Sequence, residues 1–184
     1  MHLSVALLRR ARRHVGRGGV IAYATESCFG LGCAVDNERA LLQVLRLKQR
    51  PKTKGLIVIA DRAERFHRHI APLTESERQQ VEQSWPGPHT WLIRAASRTS
   101  RALRGQHAAL AVRVTAHPDA RDLCARLRLP LVSTSANRDG QRPIKTAREC
   151  ARQFGRRVFV IPGRIGQRKH PSTIQDLHTG QILR

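Results

Sequence analysis

The sequence predicts a single α/β (α+β) domain over residues 1–184, with a mixed sheet flanked by helices. Three observations predict it. Short apolar, β-branched runs such as Leu56-Ile57-Val58-Ile59-Ala60 alternate with amphipathic stretches of helical period. No long linker, repeat or low-complexity segment separates them. The 184 residues suffice to bury one core and match the size of one domain.

The elements follow in order. Leu3, Leu7, Ala11 and Val15 recur at helical spacing with arginines opposite, so residues 3–15 read as an amphipathic helix stopped by Gly16 to Gly19. Residues 20–25 read as a buried strand. Residues 26–36 read as a loop, because Gly30 and Gly32 permit backbone shapes that a Cβ forbids. Asp36 or Asn37 caps the next helix, whose inner face carries Ala40, Leu41, Val44, Leu45 and Lys48. Residues 56–60 are a second buried strand. Thr74-Glu75-Ser76-Glu77 is a capping box that opens a polar helix to about Gln83, and Trp85-Pro86-Gly87-Pro88 breaks it. Residues 90–95 and 110–114 read as strands. Residues 118–127 read as a helix with Pro118 in its first turn and His117 as cap. Residues 129–133 form another strand and 145–154 another helix, ended by Gly155. Residues 158–161, 173–177 and 181–183 are closing strands.

Composition bounds the class. With 34 Lys and Arg against 13 Asp and Glu, the formal net charge is +21. Only five of the basic residues are lysine. Such a surface attracts polyanions, including nucleic acid. An arginine-rich codon usage accounts for the same charge equally well, because the basic residues are spread along the chain. Seven aromatic residues offer few stacking platforms for single-stranded RNA. The apolar runs are too short to span a bilayer. The arginine-bearing N-terminus reads as a helix rather than a signal peptide, which makes the cytoplasm the expected compartment. Cys28, Cys33, Cys124 and Cys150 lack metal-type spacing. They read as reduced thiols, with Cys28 and Cys33 partly exposed in the glycine loop.

Two short segments carry the chemistry. Lys48-Gln49-Arg50 puts two cations one residue apart at the end of a helical pattern, and Ser135-Ala136-Asn137 puts a hydroxyl and an amide after the apolar run at 129–132. The guanidinium fork suits carboxylate and phosphate, and ammonium supplies a compact charge. The same cations also suit a solvated helix C-terminus. Ser133, Ser135 and Asn137 suit a turn at a strand exit, and Thr25 a local turn bond. Arg113 lies within Ala111-Val112-Arg113-Val114 and needs an anionic partner there, either a structural carboxylate or a bound one.

Lys-x-Arg together with Ser-x-Asn resembles the paired signature of the threonylcarbamoyl-AMP synthase family, the YrdC-like proteins of the short bacterial type. Further motifs follow in the family's order: Gly18 to Glu26, Phe29-Gly30-Leu31-Gly32, Lys54-Gly55-Leu56-Ile57, Trp85 to Thr90, Leu110 to Val114, Ser133 to Asn137, and Pro171-Ser172-Thr173-Ile174 with Asp176. Ala24 stands where the family usually has Pro, and His89 and Gln167-Arg168-Lys169-His170 are less usual.

The resemblance implies a twisted mixed sheet with a large basic cavity on its open side. It implies a nucleotidyltransferase that joins L-threonine, bicarbonate and ATP into threonylcarbamoyl-AMP and pyrophosphate, the first step in modifying the tRNA adenosine beside the anticodon. By the same resemblance Lys48 and Arg50 are catalytic. Lys48, Lys52, Ser135, Asn137 and Arg184 contact ATP. Thr25, Arg50, Arg113, Ser133 and Ser172 contact threonine. Mg2+ accompanies the ATP without a protein cage, with Glu26 as an indirect ligand. A threonylcarbamoyl-transferase complex takes the product. The rival is a non-catalytic double-stranded RNA or tRNA-binding module. A carbamoyl-adenylate-forming domain of the hydrogenase-maturation type is a poorer rival, since no zinc-finger segment accompanies this one.

Overall fold

The computed structural model describes residues 3–184. Ser4 caps helix α1 (Val5–Gly16) through a side-chain bond to Leu7 N. A hairpin of β1 (Val20–Ala24) and β2 (Phe29–Gly32) follows. Asn37 caps α2 (Glu38–Lys48), accepting from Ala40 N at 2.9 Å. Then come β3 (Ile57–Ala60), α3 (Glu75–Glu82), β4 (His89–Arg94), the single turn α4 (Arg101–Arg104) and β5 (Ala109–Val114). The chain closes with α5 (Pro118–Leu127), β6 (Leu131–Val132), β7 (Thr134–Ser135), α6 (Ala147–Phe154), β8 (Val158–Val160) and β9 (Thr173–Asp176). Thr74 and Thr146 both close capping boxes, and His117 caps α5.

The strands form two mixed sheets, in the orders β7-β2-β1-β8 and β6-β3-β5-β4-β9. Within them β1 and β8, β3 and β5, and β4 and β9 run parallel. The other pairs are antiparallel. The chain passes from one sheet to the other between β6 and β7. Leu131 and Val132 pair with β3, whereas Thr134 and Ser135 pair with β2. Ser133 sits at the crossing and donates its N–H to Ile57 O at 2.8 Å. The second short motif is thus built on the seam of the two sheets.

The period of two along β1 divides the core. Ile21 and Tyr23 face a cluster with Leu8, Ala11 and Val15 of α1, Leu123 and Leu127 of α5, and Ile59. Val20, Ala22 and Ala24 face the larger cluster, with Leu41, Val44, Leu103, Val112 and Phe154. Burying a side chain of Leu size contributes roughly 1.5–3 kcal/mol relative to exposure. Tertiary packing of this kind holds a helix as short as α1 in place.

Several sequence expectations change. The strands divide into two mixed sheets rather than one. Residues 29–32 are a strand, not loop. Gly32 belongs there because its backbone passes so close to β6 that a Cβ would meet Val132 O at 2.4 Å. Residues 181–183 make one bridge, Gln175 with Ile182, rather than a strand. Cys33 is fully buried, since it follows β2 into the core. Among the described residues no helix is long and apolar enough to cross a membrane. Residues 1 and 2, part of the N-terminal reading, lie outside the described residues.

Candidate active site

A cavity of about 540 Å³ opens on the seam between the sheets. Of the residues singled out in the sequence, Thr25, Arg50, Arg113, Ser133, Ser135, Ser172 and Arg184 line it. They come from the β1–β2 turn, the segment after α2, β5, the sheet crossing, the approach to β9 and the chain's last residue. Lys54, Arg104, Arg142, Lys145, Arg168 and Lys169 add positive charge to its wall, and Glu26 is the one carboxylate among the described lining residues. Leu56, Ile57, Leu92 and Ala111 give it an apolar side. Such a cavity can desolvate a small polar ligand while many cations face it.

Lys48, Lys52 and Asn137 do not line the cavity. Lys52 is exposed in the short turn Lys52–Lys54. Lys48 is 2 % exposed and reaches behind the cavity wall. Its Nζ donates to Ser135 O at 2.6 Å and Asn137 O at 3.0 Å, with Ser135 Oγ and Asn137 Oδ1 at 3.3 and 3.4 Å. Burial, and then the charge of Arg50, push this ammonium down to about 8. Asn137 Nδ2 donates to Arg138 O and Gln141 O, so the amide is committed to its own loop. Lys48 and Asn137 therefore shape the wall that presents Ser135.

Arg50 is held by the backbone. Its Nε donates to Gly55 O at 3.1 Å and its Nη2 to Lys54 O at 3.3 Å, which sets the plane of the guanidinium. Asp139 lies on the far side, 3.8 Å from Arg50 Nη1 and 3.0 Å from Lys54 Nζ. The Lys54 hydrogen bond holds the Asp139 carboxyl below its ordinary range.

Arg113 has a structural carboxylate. Its Nη2 donates to Glu26 Oε2 at 3.3 Å, and Thr115 Oγ1 donates to Glu26 Oε1 at 2.6 Å. The Arg113 Nε is buried without a partner among the described residues. The ATP chemistry implied by the resemblance makes Glu26 an indirect magnesium ligand; here its two oxygens accept from Arg113 and Thr115. Thr115 has no role in the sequence reading; it follows β5 directly, two residues after Arg113, and binds the same carboxylate. Among the described residues, no group of three His, Cys, Asp or Glu could hold a metal ion. The donor set does not fit a protein-held cation here.

The remaining lining residues are locally anchored. Thr25 Oγ1 donates to Cys28 O at 2.7 Å, the turn bond open to it from the sequence. Thr90 Oγ1 donates to Ser172 Oγ at 2.9 Å in a buried pair, and Arg184 Nε donates to Ser172 O at 3.3 Å. Gly166 N and Arg168 N donate to Thr25 O and Glu26 O, which docks the loop before β9 onto the β1–β2 turn. Burial pushes the Cys28 thiol up, which disfavours its thiolate form. His89 packs on the Trp91 ring, 4.5 Å between centroids, outside the cavity.

Comparison with known proteins agrees with this architecture. Residues 13–184 match the Sua5/YciO/YrdC family model, described as telomere recombination. The chain is 57% identical over 176 residues to a threonylcarbamoyl-AMP synthase of Methylobacillus flagellatus, covering 95% of this chain and 98% of that protein. It is 52% identical over 178 residues to the protein of that name from Chromobacterium violaceum, covering 97% and 92%. Among solved structures, P. abyssi Sua5 complexed with L-threonine superposes with a TM-score of 0.90 at 25% identity, covering all of this chain. This chain spans 55% of that longer one. Matched across nearly its whole length by the family model and by close relatives, the chain belongs to the Sua5/YciO/YrdC family.

Proposed function

We propose that this protein is an L-threonylcarbamoyladenylate synthase, a nucleotidyltransferase that forms threonylcarbamoyl-AMP and pyrophosphate from L-threonine, bicarbonate and ATP. The single observation that carries the reading is one 540 Å³ cavity onto which Thr25, Arg50, Arg113, Ser133, Ser135 and Ser172 converge. The relatives named above bear the name of this activity over almost their full lengths.

The chemistry needs position and charge rather than a nucleophilic side chain. The threonine amine takes up bicarbonate with loss of water and gives a carbamate. A carbamate oxygen attacks the α-phosphorus of ATP, and the bond to the β-phosphate oxygen breaks as pyrophosphate leaves. Both reactants are anionic, so fixed cations must hold them together. In this reading Arg113, whose buried Nε has no partner among the described residues, takes the threonine carboxylate, and Ser133, Thr25 and Ser172 frame the amino acid. Arg50, its plane set by two carbonyls, stabilises the phosphate undergoing attack, with Lys54 beside it. Ser135 and Arg184 contact the nucleotide. Lys48 and Asn137 act through Ser135 as positioning residues. Magnesium enters as part of the MgATP substrate. The product passes to a threonylcarbamoyl-transferase complex that modifies tRNA, and the cytoplasm is where that substrate pool lies.

The test is direct. Purified protein is incubated with ATP, bicarbonate and labelled threonine. Pyrophosphate release and a labelled adenylate are expected only when all three are present. Equal pyrophosphate release without threonine, or retention of RNA without turnover, would sink the reading and favour the RNA-binding module.

A further inference from the structure

Asp139 lies in the loop that follows Ser135-Ala136-Asn137. Its backbone is fixed, because its N–H donates to Lys48 O at 2.7 Å, while Lys48 Nζ holds the Ser135 and Asn137 carbonyls from the other side. Its side chain is held only by cations, through a hydrogen bond from Lys54 and an ion pair with Arg50. Among the described residues, the partners of its carboxylate are Lys54 Nζ at 3.0 Å and Arg50 Nη1 at 3.8 Å. Those two cations line the cavity, and Asp139 does not. Arg50 keeps its plane without Asp139, through the Gly55 and Lys54 carbonyls. One rotamer change at Asp139 would therefore free both cations and leave them in place.

The geometry points to Asp139 as an internal competitor for polyanions: it occupies Arg50 and Lys54 when the subsite is vacant and yields them to the phosphate chain of the nucleotide or to pyrophosphate. The inference rests on the proposed function, in which these cations receive the anionic reactants. A single carboxylate loses to a ligand of three or four negative charges and competes well against a singly charged one. The subsite is thereby selective for polyphosphate over small monoanions, and pyrophosphate is released against a returning carboxylate. Exposed ion pairs are individually weak and screened by salt, so the device sets a modest bias rather than a lock.

The experiment titrates inorganic pyrophosphate and tripolyphosphate, by calorimetry, into the wild type, Asp139→Asn and Asp139→Glu at low and high salt. The Asn variant is expected to bind pyrophosphate about three- to tenfold more tightly at low salt, the size set by two exposed pairs. That gain should shrink at high salt, the Glu variant should stay near wild type, and the unfolding midpoints should agree. In turnover the Asn variant should show a lower KM for ATP and stronger inhibition by pyrophosphate. Wild type that binds pyrophosphate while Asp139→Asn binds no tighter overturns the competitor and leaves the cation subsite standing. Weaker binding by the Asn variant also overturns it, since Asp139 would then be ordering the loop. Wild type that binds neither polyphosphate overturns both this inference and the phosphate role given to Arg50.

Discussion

Lys48 Nζ lies 2.6 Å from the carbonyl oxygen of Ser135, a residue 87 positions away in sequence. The end of α2 is thereby tied to the point where the chain crosses between the sheets. Both halves of the paired signature meet, most closely through the backbone carbonyls of one half and at longer range through its side chains. The cation that faces the cavity from this motif is Arg50.

Replacing Lys48 with Met should therefore cost stability as well as activity. The carbonyls of Ser135, part-buried, and Asn137, buried, would lose a donor, at about 2 kcal/mol in total. The effect should also depend on pH. Burial holds the amine near 8 in the folded protein, against an ordinary value of 10.5. Between those values the unfolded chain binds the extra proton, so stability due to Lys48 rises with pH across that window. Urea unfolding of wild type and Lys48→Met at a series of pH values checks it. A constant difference from neutral pH to pH 10.5 would mean that the folded protein keeps the ammonium charged.

Arg113 and Glu26 should behave as one unit. Both side chains are nearly buried, at 8 % and 14 % exposure. Arg113→Met leaves the carboxylate with Thr115 alone and should cost about 3 kcal/mol, as breaking buried pairs does. Adding Glu26→Leu should restore much of that loss. A double-variant cycle by chemical denaturation measures the coupling, and simple additivity of the two losses would refute it.

Arg50 and Lys52 are two residues apart and should differ sharply. Arg50→Ala should lower ATP turnover about 100-fold while changing stability by about 1 kcal/mol, since it removes a cavity cation and two loop hydrogen bonds. Lys52→Ala should stay within about twofold of wild type, as expected of an exposed surface change. Steady-state kinetics with melting curves separate the two. Equal losses would place Lys52 in the site.

Much of the architecture was legible in the sequence because it is local. Helical spacing placed Ala11 and Val15 of α1 and Leu41, Val44 and Leu45 of α2 on buried faces, although Leu8 rather than Leu7 completes the buried face of α1. The Thr74-x-x-Glu77 box and His117-Pro118 marked helix starts by their own hydrogen bonding. β2 was not legible. Phe29-Gly30-Leu31-Gly32 has the composition of a loop, and only the close approach of β6 and Tyr23 explains glycine on a strand.

The candidate site divides along the same line. By itself the sequence determined which residue types were at hand: the cations at 48, 50 and 113, the hydroxyls at 25, 133, 135 and 172, and the apolar runs that deliver them to strand ends. Only the tertiary structure decided their employment. It turned Lys48 inward onto Ser135 and Asn137, left Lys52 in solvent, set Glu26 against Arg113 and Thr115, and put Asp139 against Arg50 and Lys54. The reason is physical. Periodicity records which face of an element is buried, whereas the partner of a charged group depends on what burial of the whole chain brings within about 4 Å, where Coulomb energy and desolvation compete.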